Sequence, residues 1–158
     1  MTTTAVSADE TVAEFADTLR GTVLRPGEEG YDEARTVWNA TVDERPALVV
    51  RCAGTADVIA AVRFATAHEY PISVKGGGHN IAGRAVADDA LTIDLSPMDA
   101  VRVDPDAKTA RVEPGVVLNE LDHETQAFGL ATPLGYNSTT GVAGLTLGGG
   151  WGWLSRKH

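Results

Sequence analysis

Several features that would assign this protein to a class at once are scarce or missing in its sequence. The 158 residues include one cysteine, 6% aromatic residues and three lysines among 13 basic residues. No apolar run approaches the roughly 18 residues that span a membrane, and the N-terminus has no basic stretch followed by an apolar one. We therefore expect a soluble, cytoplasmic protein with no membrane partner.

Positive charge and disulfide chemistry are also limited. The 13 Lys and Arg residues stand against 22 Asp and Glu residues, for a net charge of -9, which disfavours nucleic acid because phosphate binding relies mainly on basic side chains. A single cysteine cannot form an internal disulfide. Cys52 lies in "LVVRCAG" on the same strand face as Leu48 and Val50, which predicts a buried and unreactive thiol.

The chain length and the apolar pattern indicate one domain with a small N-terminal addition. Residues 1–44 contain an amphipathic helix candidate, with Val12, Phe15, Ala16 and Leu19 on one stripe, and we interpret them as a helical appendage. Residues 45–158 are expected to form the main domain.

The main domain begins with a predicted βαβ unit. A strand over Leu48 to Cys52 precedes a helix that opens at Thr55 or Asp57, and a short buried strand follows from Pro71 to Val74. The inward face of that helix is predicted to carry Val58, Ile59, Val62 and Ala65. Farther along, the sequence predicts a strand in "ALTIDL", a hairpin of "AVRVD" and "TARVE", and a helix over about 117–128 that ends at Gly129.

Three of the four histidines have ordinary interpretations. His68 falls in the last turn of a predicted helix, where a positive charge interacts favourably with the helix dipole, and His123 falls on a solvent-exposed face of a predicted helix. His158 is the final residue and has no sequence context.

Glycine is concentrated in two clusters of the main domain. "KGGGHNIAG" follows the second predicted strand, and "GLTLGGGWG" lies near the end of the chain. Glycine allows close approach of the backbone to a ligand, and consecutive free N–H groups form a concavity for anions. Two clusters in one small domain therefore favour a shared, large, anionic ligand over two unrelated tight turns.

Neither familiar nucleotide signature fits these clusters. A G-x-G-x-x-G spacing that starts at Gly76 arrives at Ile81, and no Gly-Lys pair precedes Ser or Thr. The sequence therefore supports neither a dinucleotide Rossmann turn nor a P-loop.

His79, directly after the first cluster, has three possible uses. A metal site would need partners at metal-ligand spacing, and the sequence has no H-x-x-x-H, H-E-x-x-H or cysteine pair. A catalytic base would need an orienting carboxylate, for which the candidates are Asp88, Asp89 and Asp94. A third use is a bond to a cofactor beside a phosphate-binding loop.

The order and spacing of three segments resemble a known family. "SVKGGGHNIAG", "LTIDLSPMDAVRVDPDAKTARVEPG" and "PLGYNSTTGVAGLTLGGGWGWLSR" resemble the vanillyl-alcohol oxidase (PCMH) type of FAD-binding domain, and most of all berberine bridge enzyme-like FAD-linked oxidases. The resemblance covers about residues 45–158 and implies an α+β fold with FAD between two small subdomains. It further implies an oxidoreductase that moves a hydride from the alcohol or amine carbon of a small-molecule substrate to FAD, and then to oxygen or another acceptor.

The resemblance also implies roles for individual residues. The first loop matches the one that cradles the FAD pyrophosphate, and His79 matches the histidine that bonds covalently to the flavin. The second loop resembles the one that lines the flavin ring system. The implied cofactor-binding residues are Lys75, Gly76, Gly77, Gly78, His79, Asn80, Thr139, Thr140, Gly141, Val142, Gly144 and Leu145.

Two departures from the family pattern limit these implications. Members with two covalent links have a cysteine where this chain has Asn137, so one link, through His79, is expected. Relatives continue beyond the position of His158, and the catalytic base is expected in that further part, so residues 1–158 alone are expected to be inactive. A non-covalent FAD dehydrogenase of the same superfamily and a non-catalytic nucleotide-binding module remain the alternatives.

Overall fold

The computed structural model describes residues 8–156, which form a mixed α and β fold, as expected. The helices are α1 (Ala8–Asp17), α2 (Tyr31–Arg35), α3 (Thr55–Ala67), α4 (Leu118–Gln126) and α5 (Val142–Gly148). The strands are β1 (Thr22–Leu24), β2 (Leu48–Arg51), β3 (Ile72–Lys75), β4 (Leu91–Asp94), β5 (Val101–Asp104) and β6 (Thr109–Val112). Among these helices, none has the length and apolar character needed to cross a membrane.

Four strands form the main sheet, in the order β1-β2-β4-β3. The predicted βαβ unit is confirmed, since β2 and β3 are both parallel to β4, which lies between them. In this register Ile93 lies level with Val50 on one side and with Val74 on the other. The predicted hairpin is also confirmed, as the antiparallel pair of β5 and β6.

The core lies between the main sheet and the helices α1 and α3. Phe15 of α1 stacks on Phe64 of α3 with ring centroids 4.1 Å apart, and Val50 and Cys52 are buried beneath them. Cys52 is fully buried, as predicted, and this burial raises the pKa of its thiol to about 12.

Residues 8–44 contribute more than the helix that the sequence predicted. β1 pairs antiparallel with β2, so this segment adds a strand to the main sheet. β1 has only three residues, so its sequence is too short to show the alternation of apolar and polar residues that predicts a strand. Pairing with β2 stabilises it as a strand. The domain boundary at residue 44 stays a prediction.

Two predictions of burial were wrong. In α3, Ile59 and Val62 are 47% and 41% exposed, because the residues facing the sheet are Ala61 and Ala65. β3 is an edge strand whose Ile72 and Val74 are also exposed, since the described part of the chain covers only one face of it.

The second predicted helix is present as α4. Leu118, Leu121 and Thr125 form its buried face, whereas Phe128 lies beyond the helix and is 51% exposed. Gly129 follows with a φ of 66°, a conformation that glycine adopts without strain. His123 is solvent-exposed as expected, and His158 lies outside the described residues.

Candidate functional site

The two glycine clusters meet backbone to backbone. A Cβ added to Gly77 would overlap the Gly141 nitrogen and lie 2.6 Å from its Cα. A Cβ added to Gly141 would in turn lie 2.5 Å from the Gly77 nitrogen. Contacts this short leave no room for any side chain, so glycine at both positions allows the two loops to touch.

The segment before α4 holds the second loop in place. Val117 forms an isolated antiparallel bridge with Gly141. On either side of this bridge, the Leu118 N–H donates to the Thr140 carbonyl at 3.0 Å, and the Val142 N–H donates to the Val116 carbonyl at 2.9 Å. The first loop continues directly from β3, so the βαβ unit and the start of α4 bring the loops together.

A cavity of about 660 Å³ lies along both loops. Nine of the predicted cofactor-binding residues line it: Gly76, Gly77, Gly78, His79, Asn80, Thr140, Gly141, Gly144 and Leu145. Val74, Ile81 and Ala85 add apolar surface to the lining. Among the described residues, Arg84 is the basic residue that lines the cavity.

Lys75, Thr139 and Val142 do not line this cavity. The Lys75 ammonium donates a hydrogen bond to the Ala34 carbonyl at the end of α2, and burial lowers its pKa. Its contribution to the loop is therefore structural, because its backbone carbonyl also accepts a hydrogen bond from Leu95 N at 2.8 Å. Thr139 and Val142 are neighbours of lining residues, and Thr139 contacts the His79 ring.

Three side chains surround the imidazole of His79. The Nε2 atom lies 2.9 Å from the Thr139 hydroxyl, and Nδ1 lies 3.5 Å from the Thr140 hydroxyl. The Trp38 indole stacks on the ring, with centroids 5.4 Å apart and an interplanar angle of 23°. Burial lowers the pKa of His79, so the ring is neutral at pH 7.

Two of the three carboxylates considered as partners for His79 are engaged elsewhere. Asp88 accepts a hydrogen bond from Arg45 N at 2.6 Å, and Asp94 accepts one from Ser96 N at 3.0 Å. Within residues 8–156, no group of three or more potential metal ligands occurs. The arrangement around His79 therefore favours a bond to a ligand over a carboxylate-oriented base or a metal site.

Sequence reasoning missed Trp38. Its backbone N–H donates to the Gly78 carbonyl at 3.1 Å, and its indole is 59% exposed. A lone tryptophan in "RTVWNAT" carries no local signal for this position, because the contact joins segments that are distant in sequence.

The segment around Trp38 also clamps the far end of the first loop. The Asn39 side chain donates to the Ile81 carbonyl at 2.8 Å. Val42 lies against Gly83, where a Cβ would come within 2.6 Å of the valine side chain. Asn80 closes the turn, since its side-chain oxygen accepts from Arg84 N at 3.1 Å.

The residues present fit a dinucleotide with a flat ring system. The volume falls within the roughly 300–1,000 Å³ of ligand pockets. Unobstructed glycine backbone and one arginine suit a pyrophosphate, and the apolar side chains of Ile81, Ala85 and Leu145 suit a ring. FAD has both parts.

Comparison with known proteins gives the same indication. The chain matches the family described as FAD binding domain over residues 46–158. It is 36% identical over 140 residues to (R)-6-hydroxynicotine oxidase of Paenarthrobacter nicotinovorans, which covers 89% of this chain and 31% of that protein. It is 39% identical over 151 residues to an FAD-linked oxidoreductase of Dictyostelium discoideum, which covers 95% of this chain and 33% of the relative.

Solved structures show the same fold. The crystal structure of 6-hydroxy-D-nicotine oxidase from Arthrobacter nicotinovorans is similar with a TM-score of 0.86 at 36% identity, over 88% of this chain and 31% of that one. The berberine bridge enzyme-like protein 1 of Physcomitrella patens gives 0.87 at 30% identity, over 92% and 32%. The chain therefore spans about a third of the length of these proteins.

Proposed function

Because this chain belongs to the FAD binding domain family of FAD-linked oxidoreductases, of the vanillyl-alcohol oxidase and berberine bridge enzyme-like type, we propose that it is the FAD-holding part of an oxidase. The observation that carries this proposal is the contact of two glycine loops along one cavity, with His79 in its lining. The substrate is a small molecule whose carbon bears a hydroxyl or amine group. Bound FAD would accept a hydride from that carbon and pass the electrons to oxygen or another acceptor.

The first loop is the proposed pyrophosphate site. Gly76, Gly77 and Gly78 present backbone without side chains to the cavity, and Arg84 supplies a positive charge. Fixed N–H groups can hold an anion without the entropy loss of ordering long basic side chains. Binding of the pyrophosphate mainly by backbone N–H groups suits a chain with few basic side chains and a net charge of -9.

The second loop is the proposed flavin site. Thr140, Gly141, Gly144 and Leu145 line the cavity on this side. The Leu145 side chain supplies apolar contact, and the small residues beside it leave space for a planar ring. Lys75 and Val142 stabilise these loops from outside the cavity, through hydrogen bonds to the carbonyls of Ala34 and Val116.

We further propose that His79 bonds covalently to the flavin. A neutral imidazole has a lone pair, and the surroundings of His79 keep the ring neutral and limit its rotation. One imidazole nitrogen forms a bond to the methyl carbon of the flavin's benzenoid ring. The methyl carbon would lose one hydrogen and the nitrogen of the ring that is not bonded would lose its proton, and the two electrons and two protons would be taken up by dioxygen as hydrogen peroxide. Asn137 offers no sulfur for a second link.

Acid precipitation of the full-length protein tests the covalent bond. A covalent adduct keeps the yellow colour in the pellet, whereas flavin held by hydrogen bonds and packing moves to the supernatant. The His79→Ala variant should release the colour, and the Cys52→Ala variant, which changes a buried thiol away from the cavity, should retain it.

The outcomes separate the proposed functions. Flavin that leaves wild-type protein with the supernatant supports a non-covalent dehydrogenase of the same family, in which His79 only packs or hydrogen-bonds beside the cofactor. Purified wild-type protein with no flavin in either fraction would refute the proposed FAD-holding function.

A further inference from the structure

Asn137, Thr139 and His79 form a chain of hydrogen bonds at the edge of the second loop. The Asn137 side-chain oxygen lies 3.2 Å from the Thr139 backbone nitrogen and 3.0 Å from the Thr139 hydroxyl oxygen. The same hydroxyl oxygen lies 2.9 Å from His79 Nε2. These distances determine where each hydrogen lies.

The backbone of Thr139 decides the orientation of the Asn137 amide. A backbone N–H can only donate, so the Asn137 atom that faces it must be the acceptor Oδ1. Oδ1 cannot donate to the neighbouring hydroxyl either. The Thr139 hydroxyl therefore donates its one hydrogen to Asn137.

The orientation of the Thr139 hydroxyl decides the tautomer of His79. A hydroxyl whose hydrogen is engaged can only accept from a further partner. His79 Nε2 must therefore carry a hydrogen and donate it to Thr139 Oγ1. In a neutral imidazole the other nitrogen, Nδ1, then keeps its lone pair.

The remaining contacts of the ring are compatible with this assignment. Nδ1 has the Thr140 hydroxyl at 3.5 Å, a weak contact that leaves the lone pair accessible. The Trp38 indole covers one ring face, which hinders rotation of the imidazole toward that side.

We propose that Asn137 and Thr139 are positioning residues that hold His79 as its Nε2–H tautomer and so reserve Nδ1 for the bond to the flavin. This inference rests on the covalent link proposed above. Only a nitrogen with a lone pair can attack the methyl carbon, and the Nε2 proton is lost after the Nδ1–carbon bond forms. Asn137 has no sulfur to form a second covalent bond to the flavin, but in this proposal it helps to position His79 for the single bond.

The nitrogen that carries the flavin is the direct test. Proteolysis of the full-length protein yields a flavin peptide, and NMR contacts of the new methylene group identify the attachment. Contacts with Hε1 and the β-protons indicate Nδ1, whereas contacts with both Hε1 and Hδ2 indicate Nε2. We expect Nδ1 in the wild-type protein.

Variants of Thr139 separate positioning from general structural support. Thr139→Val keeps the shape of the side chain but removes the hydroxyl. Covalent incorporation of FAD into apoprotein should become about tenfold slower, the scale of one lost hydrogen bond, and should yield both attachments. Thr139→Ser should restore the rate and the single attachment. Thr66→Val, at a surface threonine whose hydroxyl bonds to Val62 O within α3, is the matched control and should behave as wild type.

The position of Asn137 gives a second test of the chain of hydrogen bonds. Asn137→Ala removes the acceptor, frees the Thr139 hydroxyl to donate to Nε2, and should shift attachment toward that nitrogen. Asn137→Asp keeps an acceptor oxygen and should retain attachment at Nδ1.

Three results would overturn the inference or its premise, and they differ from one another. Wild-type attachment at Nε2 overturns the tautomer assignment. Wild-type rate and attachment in Thr139→Val overturn the positioning role. Flavin that is released by acid from wild type and from every variant refutes the covalent link itself, and with it the reservation of Nδ1.

Discussion

Gly77 and Gly141 pack against each other through their backbones, with no space for a Cβ atom on either residue. This contact joins the loop after β3 to the loop before α5. The cavity proposed for FAD exists because these two loops touch along one side of it.

Substitution of Gly77 should separate the loops. Gly77→Val would force its side chain into the Gly141 backbone, at a cost of about 1–3 kcal/mol for overpacking. We expect the flavin content of the purified full-length protein, measured by absorbance, to fall about tenfold. The matched control is Gly54→Val, because a Cβ at Gly54 meets no atom within 4 Å and its φ of 174° suits any residue. Normal flavin content in Gly77→Val would show that the first loop does not hold the pyrophosphate.

Arg84 should contribute electrostatically to cofactor affinity. In a His79→Ala background, where binding is reversible, Arg84→Gln should weaken FAD binding about tenfold at low salt, because it removes a charge-assisted hydrogen bond. The difference should shrink in 1 M salt, where the Debye length is about 3 Å. Arg63→Gln, at an exposed position of α3, is the control. Equal affinities for the Arg84 and Arg63 variants at low salt, measured by fluorescence titration, would remove Arg84 from the site.

Covalent attachment of FAD through His79 should continue at a lower pH than attachment through a histidine with an unperturbed pKa. The reaction needs the neutral imidazole, and burial lowers the pKa of His79 from its usual value of about 6.5. The rate of acid-stable flavin formation should therefore exceed half of its maximum at pH 6.5 and fall as the pH decreases through the lowered pKa. A midpoint at or above pH 6.5 in the rate profile would contradict this expectation.

Asp57 should be important for stability and not for cofactor binding. Its carboxylate is 3% exposed and accepts hydrogen bonds from the backbone N–H groups of Arg20, Gly21 and Ala53. Asp57→Ala leaves these donors without that partner and should lower the free energy of unfolding by about 2–4 kcal/mol. The exposed Asp17→Ala variant is the control. Urea unfolding that places Asp57→Ala within about 0.5 kcal/mol of wild type would contradict the prediction.

The same residue gives a pH dependence with a defined sign. Burial alone would raise the pKa of Asp57, but the backbone hydrogen bonds lower it overall. The folded state therefore favours the carboxylate more than the unfolded state does. Its contribution to stability should be complete above about pH 4, the usual range of aspartate, and should be lost as the pH falls through the lowered pKa.

Local patterns were sufficient to predict most of the elements. Alternating apolar residues indicated β2, β4 and the hairpin, and apolar periodicity indicated α1 and α4. These predictions succeeded because backbone hydrogen bonding and side-chain periodicity depend on near neighbours in sequence. The exposed Ile59 and Val62 of α3 show the limit, since burial depends on which element covers a face.

By itself the sequence determined the kind of site: two glycine loops, with one histidine after the first of them. Only the tertiary structure decided which atoms meet at that site. It directed the Lys75 ammonium to Ala34, brought Trp38 onto the ring of His79, and linked Asn137 through Thr139 to Nε2. These contacts join residues that are far apart in the chain, so they depend on strand order and register, which no local pattern encodes.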